Sequence, residues 1–246
     1  MKLLIIGGTQ FVGRHIAEAA IGRGDEVTLF HRGQTNPDIF PEAEHLLGDR
    51  DGGLEPLRGR RWDVVVDTCG YVPRVVRESA RMLADSIKLY VFISSLSVHP
   101  DTRTRGQDET SPVAELDDPT VEEVREETYG GLKVLCERAV QEELPGRALI
   151  IRPGFIVGPY DPIGRFGYWL ARVAEGGGVL APAPPEAELQ IIDARDMASW
   201  ILDLAERRED GVYSATGPAE GLTMGRLLET IGWVAKGEPD LVWVDP

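Results

Sequence analysis

Ser95, Tyr129 and Lys133 are the residues whose types and spacing could move a proton. Tyr129 and Lys133 lie four apart, so on a helix they share a face. A free tyrosine has a pKa of about 10, too high for an efficient base near neutrality. A neighbouring ammonium favours the phenolate and lowers that value, which is the part expected of Lys133. Lys133 is also placed to hold ribose hydroxyls, and Ser95 to hydrogen-bond a reacting carbonyl or hydroxyl. A second chemical feature lies far upstream, in Gly7-Gly8-Thr9-Gln10-Phe11-Val12-Gly13. A glycine turn that opens a helix presents backbone N–H groups to a pyrophosphate. In this order, the two features point to hydride chemistry on a bound nicotinamide dinucleotide.

Positioning these groups takes an alternation of strands and helices. Leu3 to Ile6, Val27 to Phe30, His45 to Leu47, Val64 to Val66, Leu89 to Ile93 and Ala148 to Ile151 read as strands. Between the first two, Ile16 with Ala20 and Ala17 with Ile21 have helical spacing, and Gly24 stands where a helix should stop. Pro73 suits the start of a helix in which Val76, Ala80 and Leu83 share a face. The alternation predicts an α/β fold of Rossmann type, a doubly wound parallel sheet with helices on both faces. Residues 1–153 and 189–211 are expected to form the dinucleotide-binding domain. Residues 154–188 and 212–246 would form a small C-terminal substrate lobe.

The second strand ends Leu29-Phe30-His31-Arg32-Gly33, without the carboxylate that reads a free ribose 2′-hydroxyl. A guanidinium there suits a 2′-phosphate, so NADP(H) is the preferred cofactor and NAD(H) the second choice. Arg32 is the candidate reader, or else a solvated loop arginine, and His31 is a candidate cofactor contact. Asp49 is placed either to accept from an adenine amino group or to serve as a turn aspartate.

Composition limits the remaining classes. The chain has 246 residues, 42% of them hydrophobic, and a net charge of −15. That charge argues against nucleic acid as a partner, because such binding rests on Lys and Arg neutralising phosphates. Cys69 and Cys136 have no metal or disulfide spacing, and the four histidines show no ligand pattern, so no metal is expected. The chain enters its first strand at Lys2 without a signal segment, and no apolar run approaches membrane-spanning length. A cytoplasmic protein with a small-molecule substrate is expected. Residues 101–128 carry ten acidic residues against Arg103, Arg105 and Arg125. They read as a solvated mobile loop, or as a lid that steers a cationic substrate.

These residues resemble the extended short-chain dehydrogenase/reductases, the NAD(P)-dependent epimerase/dehydratase family. The likeness rests on Gly7 to Gly13, Asp67-Thr68-Cys69-Gly70, Ile93 to Val98, Tyr129 with Lys133, and Arg152 to Pro159. It implies that Ser95, Tyr129 and Lys133 are catalytic. Gly7, Thr9, Gln10, Phe11, Val12, Gly13, Asp67, Thr68 and Cys69 would line the cofactor, and Pro153 and Phe155 would pass near the nicotinamide. It also implies a homodimer through the helix bearing Tyr129, and a substrate lobe cut short at Pro246. Gln10 departs from the family's middle glycine, and Asp67 from its histidine. Two alternatives accompany the dehydrogenase reading. One is an epimerase or dehydratase that retains NAD. The other is a non-catalytic dinucleotide-binding regulator or RNA-binding protein, since the Gly-Gly-Thr-x-Phe-x-Gly form is similar to a subgroup that includes chloroplast stem-loop binding proteins.

Overall fold

A computed structural model describes residues 1–101 and 104–244, so Arg103 and Pro246 lie outside the described residues. In chain order the elements begin β1 (Lys2–Ile6), α1 (Phe11–Gly22), β2 (Glu26–His31), β3 (Glu44–Leu47), β4 (Val64–Asp67), α2 (Pro73–Leu83) and β5 (Leu89–Ile93). They continue with α3 (Glu126–Glu143), β6 (Ala148–Pro153), β7 (Phe155–Val157), α4 (Arg165–Ala174), β8 (Gly177–Ala181), β9 (Glu188–Leu189) and β10 (Ile191–Asp193). The chain closes with α5 (Ala194–Arg207), β11 (Gly211–Ala215), β12 (Leu222–Thr223), α6 (Met224–Ala235) and β13 (Pro239–Trp243).

Two compact units result: Met1–Gly154 with Ala194–Ala215, and Phe155–Asp193 with Thr216–Pro246. The first holds a seven-stranded sheet in the order β11-β6-β5-β4-β1-β2-β3. Every pairing in it is parallel. Its strands are apolar on both faces because helices cover both sides. Leu4, Ile6, Val65, Tyr90, Phe92 and Ile150 pack with Val76, Ala80 and Leu83 of α2 and with Cys136 and Val140 of α3. The alternate strand residues point to the other face, and α1 packs with α5. Each Leu, Ile or Phe so buried stabilises the fold by about 1.5–3 kcal/mol before entropy is counted. α2 does start at Pro73, where the missing N–H costs nothing.

Of the seven strands of this sheet, β11 alone escaped the sequence pattern. β11 pairs with β6 from Gly211↔Leu149 to Ala215↔Pro153, so residues 212–215 belong to the sheet and not to the lobe. It is an edge strand, half-buried over four of its five residues, and its apolar signal is weak for that reason. The described residues of the acidic segment are largely exposed, and the segment is anchored where the Ala114 N–H donates to the Val98 carbonyl at 2.7 Å and His99 Nδ1 bonds the Pro112 carbonyl at 3.0 Å.

The second unit has three two-stranded pairings, β7 with β10, β9 with β12, and β8 with β13. Val173 of α4, Val179 and Ala181 of β8, and Leu228 and Ile231 of α6 form its core, with Phe166, Trp169 and Trp243 packed against them.

Candidate dinucleotide and proton-transfer site

The glycine turn is built for close approach. Gly7 and Gly8 have φ of 101° and 88°, in the region that favours glycine. A Cβ on Gly7 would sit 2.4 Å from Thr68 Oγ1, and one on Gly13 would sit 2.6 Å from the Gly8 nitrogen. α1 then starts at Phe11 with Gln10 as an N-cap that makes no side-chain cap, and its first turn contains no acidic residue. The helix therefore keeps its N-terminal donors and its positive dipole end for an outside anion. Thr9 is buried and Gln10 exposed, while Phe11 and Val12 are half-buried.

Arg32, at the end of β2, is exposed, and no hydrogen bond or ion pair among the described residues engages its guanidinium. His31 beside it is buried, and both of its ring nitrogens are bonded within the protein. Asp49 closes a turn by accepting from the Asp51 N–H at 3.0 Å, which favours the turn reading. The loop after β2 is tied to the glycine turn, since the Asn36 side-chain amide donates to the Thr9 carbonyl at 3.0 Å.

At the end of β4, Thr68 and Cys69 both lean on the Ile6 carbonyl, at 3.0 Å from Thr68 Oγ1 and 3.6 Å from Cys69 Sγ. Asp67 is fully buried and its carboxylate is fully engaged. Arg50 donates to both oxygens at 2.7 and 2.8 Å, Tyr90 Oη at 2.9 Å and the Cys69 N–H at 3.2 Å. This carboxylate shapes the floor of the cradle rather than offering itself to a ligand.

Ser95 follows β5 and caps a short 3-10 turn, Leu96–Val98, by accepting from the Ser97 N–H at 3.1 Å. Its Oγ donates to Ser97 Oγ at 3.0 Å. Burial raises the Tyr129 pKa above the ordinary phenol value, and Ser95 is the neighbour that opposes that rise. The net shift is upward, opposite to the lowering expected from Lys133. Lys133 is itself buried, and Nζ donates to the Ile93 carbonyl at 2.7 Å and the Gly70 carbonyl at 2.9 Å. Burial lowers its pKa to about 8, against the opposing pull of Asp67 and Glu137. Tyr71, which the sequence did not single out, stands between the two. Its ring centroid is 6.5 Å from that of Tyr129 and 5.2 Å from Lys133 Nζ.

Gly130 and Gly131 lie inside α3, where glycine ordinarily costs about 1 kcal/mol relative to alanine. Their neighbours explain them. A Cβ on Gly130 would meet the Ser97 carbonyl oxygen at 2.2 Å, and one on Gly131 would meet Leu116 Cγ at 2.5 Å. The glycines let α3 lie directly against the turn that carries Ser95.

A second buried network was not legible in the sequence. Glu137, one turn beyond Lys133, accepts from Arg152 Nε at 3.0 Å and Nη2 at 2.7 Å, and from Ser94 Oγ. A glutamate on a buried helix face and an arginine in a buried strand were the available signals. Pro153 is buried at the end of β6. Phe155 belongs to the second unit, where the Arg165 guanidinium lies 4.5 Å from its ring centroid. Among the described residues, no group of three or more His, Cys, Asp or Glu could hold a metal, and no helix is long and apolar enough to cross a membrane.

No protein-family model matches the chain. Over 98% of its length it is 25% identical to an epimerase family protein, SDR39U1, of Bos taurus, covering 83% of that protein. It is 31% identical to a chloroplast stem-loop binding protein of 41 kDa from Arabidopsis thaliana, over 114 residues that make up 40% of this chain and 30% of that one. Among solved structures, UDP-N-acetylglucosamine 4-epimerase from Bacillus cereus superposes with a TM-score of 0.77 at 17% identity, covering 100% of this chain and 88% of that one. The enzyme WbmH of Bordetella bronchiseptica, in complex with NAD+, gives 0.77 at 17%, covering 100% and 86%. With its seven parallel strands and glycine cradle, the chain has a Rossmann-type α/β fold, which it shares with these two enzymes.

Proposed function

We propose that the chain is a nicotinamide-dinucleotide enzyme that moves hydride to or from a small hydroxyl or carbonyl compound, with NADP(H) preferred over NAD(H). The observation that carries this reading is the glycine turn with its uncapped helix N-terminus, in the same unit as Ser95, Tyr129 and the buried Lys133. Gly7 through Gly13 would hold the pyrophosphate and Arg32 the ribose 2′-phosphate. When bound, the dinucleotide supplies or accepts the hydride.

The protein's own part is proton transfer and orientation. Ser95 holds the substrate oxygen. Tyr129, with its pKa raised by burial, is a phenol at neutral pH and gives its proton to that oxygen as a carbonyl becomes a hydroxyl. Two Lys133 donors are fixed on the Ile93 and Gly70 carbonyls, which leaves the third for a ribose hydroxyl. Tyr129→Phe removes the proton and leaves the cradle intact. Turnover of a small carbonyl panel should fall by at least about a hundredfold while cofactor affinity holds. Unchanged turnover in that variant would overturn the assignment.

A second reading, an epimerase or dehydratase with retained NAD, draws support from the Bos taurus and Bacillus cereus proteins. It requires dinucleotide to co-purify with the chain and no net consumption of NADPH. The Arabidopsis likeness supports a non-catalytic binder, which requires dinucleotide binding without turnover of any panel member.

A further inference from the structure

The twelve residues between β2 and β3 follow an unusual path. Gly33, Asn36 and Phe40 have φ of 72°, 42° and 57°, all in the left-handed region. A path with two non-glycine residues there persists only where surrounding contacts impose it. The contacts are hydrogen bonds through two histidines. The Gly33 N–H donates to His31 Nδ1 at 3.0 Å. A backbone N–H can only donate, so Nδ1 carries a lone pair and the proton of the neutral ring sits on Nε2. His31 Nε2 lies 2.9 Å from His45 Nδ1 and donates to it. His45 Nε2 then carries the second proton and donates to the Phe40 carbonyl at 3.2 Å. The rings meet edge to face with centroids 5.1 Å apart. Burial first, and His45 second, hold the His31 pKa below the ordinary imidazole value, in keeping with a neutral His31 ring.

The relay ties Gly33, one residue after Arg32, to Phe40, while Asn36 ties the middle of the loop to the Thr9 carbonyl of the glycine turn. We propose that His31 and His45 are positioning residues that fix the 32–40 loop, and through it aim Arg32 at the 2′-phosphate of the cofactor's adenosine half. This rests on the dinucleotide reading above and assigns the histidines a different part from the direct contact expected of His31. His31 has no free ring nitrogen to offer a ligand. His45 never touches the ligand, and acts from the edge strand β3 by setting the tautomer of His31.

The test is calorimetric titration of the whole chain with adenosine 5′-diphosphate and adenosine 2′,5′-bisphosphate. His45→Leu should weaken the bisphosphate by about tenfold and narrow its advantage over the diphosphate, the scale of one or two lost hydrogen bonds. His45→Asn keeps an acceptor close to the Nδ1 position and should restore most of that loss. Nitrogen-15 imidazole spectra of the wild-type chain should show both rings as neutral Nε2–H tautomers. Wild-type affinities in His45→Leu, or an Nδ1–H tautomer in either ring, would overturn the proposal. Arg32→Ala separates the two readings. If it leaves both affinities unchanged while His45→Leu weakens the diphosphate, Arg32 is not the reader but the relay still sets the loop. If the wild-type chain binds neither nucleotide, the dinucleotide reading falls, and the relay's role in binding falls with it.

Discussion

Two buried ion pairs flank Lys133, and they differ in what they hold. Arg50 with Asp67 fastens the loop after β3 to the end of β4, next to the glycine turn, and Asp67 also takes Tyr90 and the Cys69 N–H. Arg152 with Glu137 fastens β6 to α3, and Glu137 reaches across to Ser94, the neighbour of Ser95. Both carboxylates pull the Lys133 pKa upward, and Arg50 pulls it down. The first pair shapes the floor of the glycine cradle, whereas the second fixes a helix relative to a strand end. Under the proposed function, binding and proton transfer would rest on separate frameworks that meet at one lysine.

Breaking either framework from one side should produce the largest effects. Asp67→Ala and Glu137→Ala each leave a buried guanidinium without its partner and should cost about 3–5 kcal/mol in urea unfolding. Replacing both members of the second pair, Glu137→Leu with Arg152→Met, should recover most of that loss, because no charge is then stranded. If the double variant is as unstable as the single one, packing and not charge is what the pair supplies.

The contact between α3 and the Ser95 turn comes next. Gly130→Ala forces a Cβ against the Ser97 carbonyl, a backbone atom that cannot swing aside, and should cost about 1–3 kcal/mol together with turnover. Gly131→Ala meets only the Leu116 side chain and should cost less. Gly167→Ala in α4, which has nothing within 4 Å, should stabilise by about 0.5–1 kcal/mol. Thermal unfolding of the three variants would rank them.

A pH-dependent effect tests the meeting point. The Lys133 pKa is lowered to about 8, against about 10.4 for an unfolded lysine. Below about 8 the full cost of burying the charge is present. Between the two values the unfolded chain binds the extra proton, so this group makes stability rise with pH, by about 1.4 kcal/mol per unit at most. Lys133→Met should flatten that rise in urea unfolding at about pH 7 and about pH 9.5. An unchanged slope would mean that Lys133 does not titrate there.

What was legible in the sequence was local. β1, β5 and α2 announced themselves through apolar runs and Pro73, and the glycine turn through its place between β1 and α1. β11 did not, because an edge strand buries too little to show a pattern. Asp67 attracted attention as a cofactor residue, but its partner Arg50 stands 17 positions upstream and only the fold joins them. The same holds for Glu137 with Arg152, and for His31 with His45, where His31 stood out only as a candidate cofactor contact and the pairing exists only across the sheet. Gly130 and Gly131 were visible as anomalies in a helix, and their cause, the approach of Ser97 and Leu116, was not.

The central claim is that the first unit binds a nicotinamide dinucleotide through the glycine turn and reads its adenosine ribose with Arg32. Titration of the purified chain with NADPH and NADH, followed by cofactor fluorescence, tests it most directly. The account predicts saturable binding of both, with NADPH the tighter and its advantage lost in Arg32→Ala. Binding of neither dinucleotide would contradict it.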